Sequence, residues 1–234
     1  ADVLLQHFLN KPRAWLFAHD DADISPIRET FCAAVERRST GLPIAYITGE
    51  KDFWGLSFKV SPDVLIPKPD TELLVERSLA VIKEKAEALR PPEQTLYLLD
   101  PCTGSGCVAI SILYTLEAEG IRNIVCGAVD ISPAALAIAR LNAERLLSAE
   151  AQRRLCFIEG DMRSLPETIA RVRESLSPSS LLTNILRFDL IAANPPYVPS
   201  TLTQELLKDG RNEPALALDG GSDGLDFIRI LTNN

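Results

Sequence analysis

Apolar and polar positions along the 234 residues change period in an order that predicts an α/β fold behind a small helical module. Over residues 1 to 45 the apolar positions recur at helical spacing. Val3, Leu4, Phe8, Trp15 and Leu16 form one stripe, and Ile27, Phe31 and Val35 form a second, with Asp23 or Ser25 as its cap. Alternation through Leu56, Phe58 and Val60 then predicts a β-hairpin. A helix is expected from 73 to about 88, capped by Asp70 or Thr71, with a polar linker at Pro91-Pro92 behind it.

From residue 96 the pattern becomes that of a buried parallel sheet. Short apolar runs at 96–99, 124–129, 155–159 and 188–193 read as strands, with helices expected over 107–119, 134–147 and 168–176. Residues 165 to 186 exceed what such a connection usually needs, so they are expected to form a peripheral insertion with a surface loop at Ser177-Pro178-Ser179-Ser180. A final helix should begin near Leu225. Three parts follow: a helical domain (1–45), a hairpin with a linker helix (46–92), and the main α/β domain (93–234). Four strands are few for this kind of sheet, and the chain opens inside a helical pattern without methionine. Both ends are therefore expected to be incomplete.

Composition narrows the function classes. At 46% apolar the chain can bury a substantial core, yet no apolar run reaches bilayer length and no signal-like segment opens it, which favours a soluble, cytoplasmic protein. A net charge of −8 argues against affinity drawn mainly from a nucleic-acid backbone, although Lys11, Arg13, Arg37 and Arg38 offer a local basic patch. Five cysteines without a C-x-x-C pair read as reduced thiols. The two histidines, His7 and His19, lie far in sequence from every cysteine. Zinc binding and a histidine-activated nucleophile are thus both disfavoured.

The chemistry concentrates at the strand ends, where open α/β sheets bind ligands. The first strand runs into Asp100-Pro101-Cys102-Thr103-Gly104-Ser105-Gly106, a glycine-rich turn that lets backbone approach a ligand at a helix N-terminus. A carboxylate at Asp100 would repel phosphate and suits the ammonium of an amino-acid moiety, as in S-adenosylmethionine. Asp130, after the second strand and before Ile131, suits a pair of ribose hydroxyls. After the third, Asp161 can accept from an adenine amino group while Met162 packs on the ring. The fourth strand stops at Asn194-Pro195-Pro196-Tyr197, where two prolines stiffen the chain. The Asn194 side-chain oxygen and the Pro195 carbonyl can grip both N–H groups of an amide or exocyclic amine. That grip orients its lone pair and stabilises positive charge on nitrogen, and Tyr197 supplies an aromatic wall.

Asn194 to Tyr197 resembles the (D/N/S)-P-P-(Y/F/W) motif of methyltransferases that act on nitrogen conjugated to a π-system. Further motifs narrow the likeness: Gly41-Leu42-Pro43-Ile44-Ala45-Tyr46-Ile47-Thr48-Gly49-Glu50, Ile66-Pro67-Lys68-Pro69-Asp70-Thr71-Glu72, and Glu213-Pro214 followed by Gly220-Gly221-Ser222-Asp223-Gly224-Leu225. Together they resemble the HemK/PrmC family of release-factor glutamine N5-methyltransferases over nearly the whole chain. The resemblance implies a Rossmann-like class I S-adenosylmethionine-dependent methyltransferase domain, mainly parallel in its sheet, with S-adenosylhomocysteine as product. The partner it implies is a class I peptide release factor, methylated on the glutamine of its Gly-Gly-Gln loop and docked in part by the N-terminal helices. A monomer is expected, with no direct nucleic-acid or membrane partner.

By that resemblance Asp100, Cys102, Thr103, Gly104, Ser105 and Gly106 hold the methionine part of the cofactor, Asp130 and Ile131 the ribose, and Asp161 and Met162 the adenine, with Asn194 at the donor. Asn194, Pro195, Pro196 and Tyr197 would bind the glutamine amide. Transfer is expected to be direct, without a general base. Three departures stand out: Cys102 where many methyltransferases have glycine, Pro101 inside the cofactor loop, and Lys68 where the family commonly has arginine, whose bidentate fork lysine lacks. One rival reading is a methyltransferase of adenine or guanine amino groups, which would need a basic face and access to the base. A non-enzymatic, cofactor-bound scaffold is another, and it has no physical need for an intact Asn194-Pro195-Pro196-Tyr197.

Overall fold

The computed structural model describes residues 1–89, 94–176, 187–209 and 212–232. The expected Pro91-Pro92 linker and the Ser177-Pro178-Ser179-Ser180 loop lie outside the described residues. The N-terminal stripe divides in two. Helix α1 (Asp2–Leu9) stops at Asn10, which turns left-handed at φ 53°, and Pro12 precedes α2 (Arg13–Ala18). Leu4 is the one buried member of the stripe. Asp23 accepts the Ser25 N–H at 2.8 Å at a 3-10 turn that leads into α3 (Arg28–Ser39), whose buried position is Ala34 while Val35 faces outward.

A short helix that the periodicity did not reveal, α4 (Ile44–Thr48), lies between Pro43 and Gly49, the latter left-handed at φ 72°. It buries Tyr46, whose hydroxyl donates to the Val64 carbonyl at 2.7 Å, in a cluster with Leu42, Val60, Val64 and Ile66. The expected hairpin follows as β1 (Glu50–Phe53) and β2 (Leu56–Lys59), antiparallel with Phe53 opposite Leu56. Its two-residue turn has Trp54 at φ 53° and Gly55 at φ 71°, the pairing that matches strand twist in tight hairpins. Trp54 holds this left-handed conformation between two clamps. Its N–H donates to Glu72 Oε1 at 2.8 Å and its indole N–H to Thr115 Oγ1 at 2.9 Å.

Glu72 opens α5 (Glu72–Ala88), which precedes the main sheet. Strands β3 (Leu96–Pro101), β4 (Ile124–Asp130), β5 (Leu155–Glu159) and β6 (Leu190–Ile191) lie in the order β5-β4-β3-β6, and every pairing is parallel. This order, with the connecting helices, is the Rossmann-like α/β arrangement that the pattern predicts. Helices α6 (Cys107–Ala118), α7 (Pro133–Leu146) and α5 cover one face, where Leu96, Leu98, Cys126 and Ala128 are buried. Pro101 ends β3 without a donor, and the Thr103 N–H takes the Val129 carbonyl at 2.8 Å. No helix among the described residues is long and apolar enough to cross a membrane.

Two expectations need correction. The part of the expected insertion from Leu165 to Leu176 is not peripheral, because α8 (Leu165–Leu176) covers the second face of the sheet. Its Val172 is fully buried with Leu99, Val129 and Ile158, and its Cγ1 fills the space a side chain at Gly127 would need. The fourth strand is also shorter than its apolar run. Ladder hydrogen bonds continue from Asp189 to Ala192, yet β6 spans two residues at the edge of the described sheet, which leaves Ile191 exposed.

One buried side chain ties hairpin to sheet. Asn142 on α7 has no exposed surface; its Oδ1 accepts the Lys59 N–H at 2.7 Å, and its Nδ2 donates to the carbonyls of Lys59 at 3.0 Å and Ser105 at 2.9 Å. Asn142→Leu would leave three backbone groups without this partner, the Ser105 carbonyl buried and the two of Lys59 partly buried, at about 1–3 kcal/mol for each buried group. We expect a loss of roughly 3 kcal/mol or more in folding stability, read by urea denaturation; a loss within 0.5 kcal/mol, the ~0.5 kcal/mol scatter of surface substitutions, would refute this account.

Candidate active site

Parallel register brings the strand ends to one edge. Asp100 lies opposite Ala128, and Asp130 opposite Glu159, so Asp100, Asp130 and Asp161 meet around one cleft with Asn194. The cleft has a volume of about 240 Å³. Of the residues that the sequence singles out, Asp100, Cys102, Thr103, Gly104, Ser105, Asp130, Ile131, Asp161, Met162, Asn194 and Pro196 line it, whereas Gly106, Pro195 and Tyr197 do not. Gly106 works from beneath. It is left-handed at φ 79°, and a Cβ there would meet Ile110 Cδ1 at 2.8 Å and Ala139 Cβ at 3.2 Å, so the loop can sit directly on α6 and α7 only without a side chain.

Asp100 is 1% exposed and sits at the floor. One of its oxygens, Oδ2, accepts from Thr103 Oγ1 at 2.7 Å and from the Ala109 N–H at 3.2 Å, both neutral donors. Burial dominates these bonds and pushes its carboxyl up to about 7. Asp130 joins two loops: Oδ2 accepts the Gly104 N–H at 2.8 Å and Oδ1 the Ser132 N–H at 3.0 Å. Burial raises its carboxyl as well. Asp161 accepts the Arg163 N–H at 2.8 Å. The Cys102 thiol, left-handed at φ 62°, is pushed up to about 12 by burial and then by Asp130, Asp100 and Asp161. Three acids thus place a negative field in a partly desolvated cleft. That field suits a cation.

The end beside Ile131 and Met162 is apolar, and Phe227 from α9 (Asp226–Thr232) completes it, with the Arg163 guanidinium over its ring at 4.8 Å. Sequence reasoning left Phe227 without a role, since no local pattern marks a residue that arrives from the far end of the chain. Pro214, Leu216 and Ala217 form the roof. Lys68 fastens it through Glu213 Oε1 at 2.5 Å, a single-point contact to a carboxylate that is itself buried. The segment around Gly220 also braces Asn194-Pro195-Pro196-Tyr197 from behind. Val198 donates to the Leu218 carbonyl and Gly220 to the Val198 carbonyl, both at 2.9 Å. A Cβ on Gly220 would lie 2.7 Å from Tyr197 Cα and 2.8 Å from the Pro196 carbonyl oxygen. Only glycine allows this approach.

An uncompensated acid leaves a mark on stability. Because the folded carboxyl of Asp100 is raised, its contribution is fully present below the ordinary carboxylate range and is lost as pH rises toward about 7. Asp100→Asn should flatten this fall in the ligand-free protein and so gain on the parent between about pH 4 and pH 7, the bounds of that titration. Urea denaturation at the two pH values measures it; an unchanged pH slope would show that Asp100 does not carry the burden.

The family described as the PrmC N-terminal domain matches residues 1–49. Among curated relatives, one from Moorella thermoacetica is 38% identical over 233 residues, 99% of this chain and 70% of the relative. One from Xylella fastidiosa is 38% identical over 233 residues, 99% and 72% of the two chains, and one from Vibrio cholerae is 37% identical over 235 residues, 100% and 70%. Each bears the name release factor glutamine methyltransferase. With this identity across nearly its whole length, and with a cleft built from the motifs that first indicated the likeness, the chain belongs to the release factor glutamine methyltransferase family.

Proposed function

We propose that this protein transfers a methyl group from S-adenosylmethionine to the side-chain amide nitrogen of the glutamine in the Gly-Gly-Gln loop of class I peptide release factors. The observation that carries the reading is Asn194 in one cleft with three strand-end acids. The site fits the cofactor. Asp100 holds a buried carboxylate that has no cationic hydrogen-bond donor among the described residues, and it suits the ammonium. Asp130 keeps lone pairs for ribose hydroxyls beyond the two backbone donors it already accepts. Asp161, Met162, Ile131 and Phe227 offer the adenine an acceptor and an apolar enclosure. S-adenosylmethionine, when bound, supplies an electrophilic methyl group on a sulfonium.

The chain's own part is orientation and charge. Asn194 Oδ1 and the Pro195 carbonyl accept the two N–H groups of the glutamine amide, turn its lone pair out of conjugation and stabilise the positive charge that grows on nitrogen. Pro196 and Tyr197 shape the slot; Tyr197 is 58% exposed, as befits a residue that meets a protein substrate. Nitrogen gains the methyl and loses one proton to water, so no base is required of the chain. The helical segment 1–45 and its Lys11 and Arg13 belong to the docking surface for the release factor. The thiols, all free, suit a reducing cytoplasm.

Labelled methyl transfer tests this reading. The wild-type release factor should take up label, its Gly-Gly-Ala variant should not, and Asn194→Ala should lower kcat by about 10²–10³-fold, the range for loss of a preorganised polar group. Label on nucleic acid with the factor silent would replace this reading with base methylation.

A further inference from the structure

Thr71 closes a 3-10 turn (Pro69–Thr71) that runs directly into α5, with helical backbone at φ −71° and ψ −17°, so its hydroxyl does not form the expected cap and binds no N–H of the first turn. Its Oγ1 instead accepts from Asn194 Nδ2 at 3.3 Å, a contact between positions 123 residues apart. Thr71 is 9% exposed, and both side chains line the same cleft. The backbone that carries the hydroxyl is pinned on every side. The Thr71 N–H donates to the Lys68 carbonyl at 3.0 Å, the Lys68 amine is held by Glu213, and Glu72 accepts the Trp54 N–H at 2.8 Å.

A carboxamide has an acceptor side and a donor side of nearly equal shape, and a half-turn exchanges them. One orientation offers oxygen to an incoming amide N–H. The other sets donor against donor. We propose that Thr71 is a positioning residue for methyl transfer: by accepting from Nδ2 it holds the Asn194 carboxamide with Oδ1 left to receive the substrate N–H. This inference rests on the role of Asn194 given above. The Thr71 hydroxyl acts through Asn194 and touches no reacting atom.

The test compares Thr71→Val, which keeps the shape and removes the hydroxyl, with Thr71→Ser, Asn194→Ala and the double variant Thr71→Val/Asn194→Ala, all in the full-length protein. Methyl transfer to a release factor gives kcat and KM, and calorimetry with S-adenosylhomocysteine gives cofactor-site affinity independently of turnover. Thr71→Val should lower kcat roughly tenfold or more, as loose positioning does, with KM and the calorimetric affinity within about twofold. Thr71→Ser should restore most of the rate, and the double variant should be no slower than Asn194→Ala alone. An unchanged kcat in Thr71→Val, a loss that multiplies on top of Asn194→Ala, or loss of calorimetric binding in both Thr71 variants would overturn the positioning role. If Asn194→Ala itself keeps full activity, the role of Asn194 fails first, and that result is read separately from the behaviour of Thr71→Val.

Discussion

A carboxylate without a cationic hydrogen-bond donor, buried at the end of a parallel strand, is the interaction on which the site depends. Among the described residues Asp100 accepts only neutral donors, from Thr103 and Ala109, so its charge stays poorly compensated. Asp130 and Asp161 face the same space and deepen the field. The cofactor proposed here, with its ammonium and sulfonium, would relieve that field, which would link affinity to the electrostatic cost of the cleft. On that proposal stability and binding are opposed at Asp100, a common condition of sites that must wait for a ligand.

Around this floor the structure builds walls from distant parts of the chain. Asn142 carries the hairpin to the glycine-rich loop through Lys59 and Ser105, and Trp54 carries it to α5 and α6. On the opposite side Gly220 sits against the Pro196 and Tyr197 backbone, and Lys68 draws Glu213 and the roof over the cleft. Each contact is short and polar, or sterically exacting. The Asn194-Pro195-Pro196-Tyr197 turn is thus stiffened locally by its prolines and braced from behind by the segment that follows it.

Much of this site is legible in the sequence because its determinants are local. An acid after each of three apolar runs, a glycine-rich turn before a helix, and an amide followed by two prolines keep their meaning within a few residues. The fold class is legible for the same reason, since β3, β4 and β5 announce themselves as apolar runs of strand length. Other features lack a local signal. α4 is too short to show a period, and the helix expected near 168–176 carries no local sign that it covers the second face of the sheet. Phe227 gains meaning only once α9 has been brought back to Arg163 and Met162.

The sequence by itself determined the order of elements, the chemistry at each strand end and the family likeness, because these rest on residue type and short spacing. Tertiary structure alone decided which of those residues share a cleft, that Lys68 reaches Glu213, and that the Thr71 hydroxyl meets Asn194. The physical reason is range. A hydrogen bond across 123 residues, or a glycine pressed against the Pro196-Tyr197 backbone, depends on how the folded sheet brings separate segments together, which no local pattern encodes.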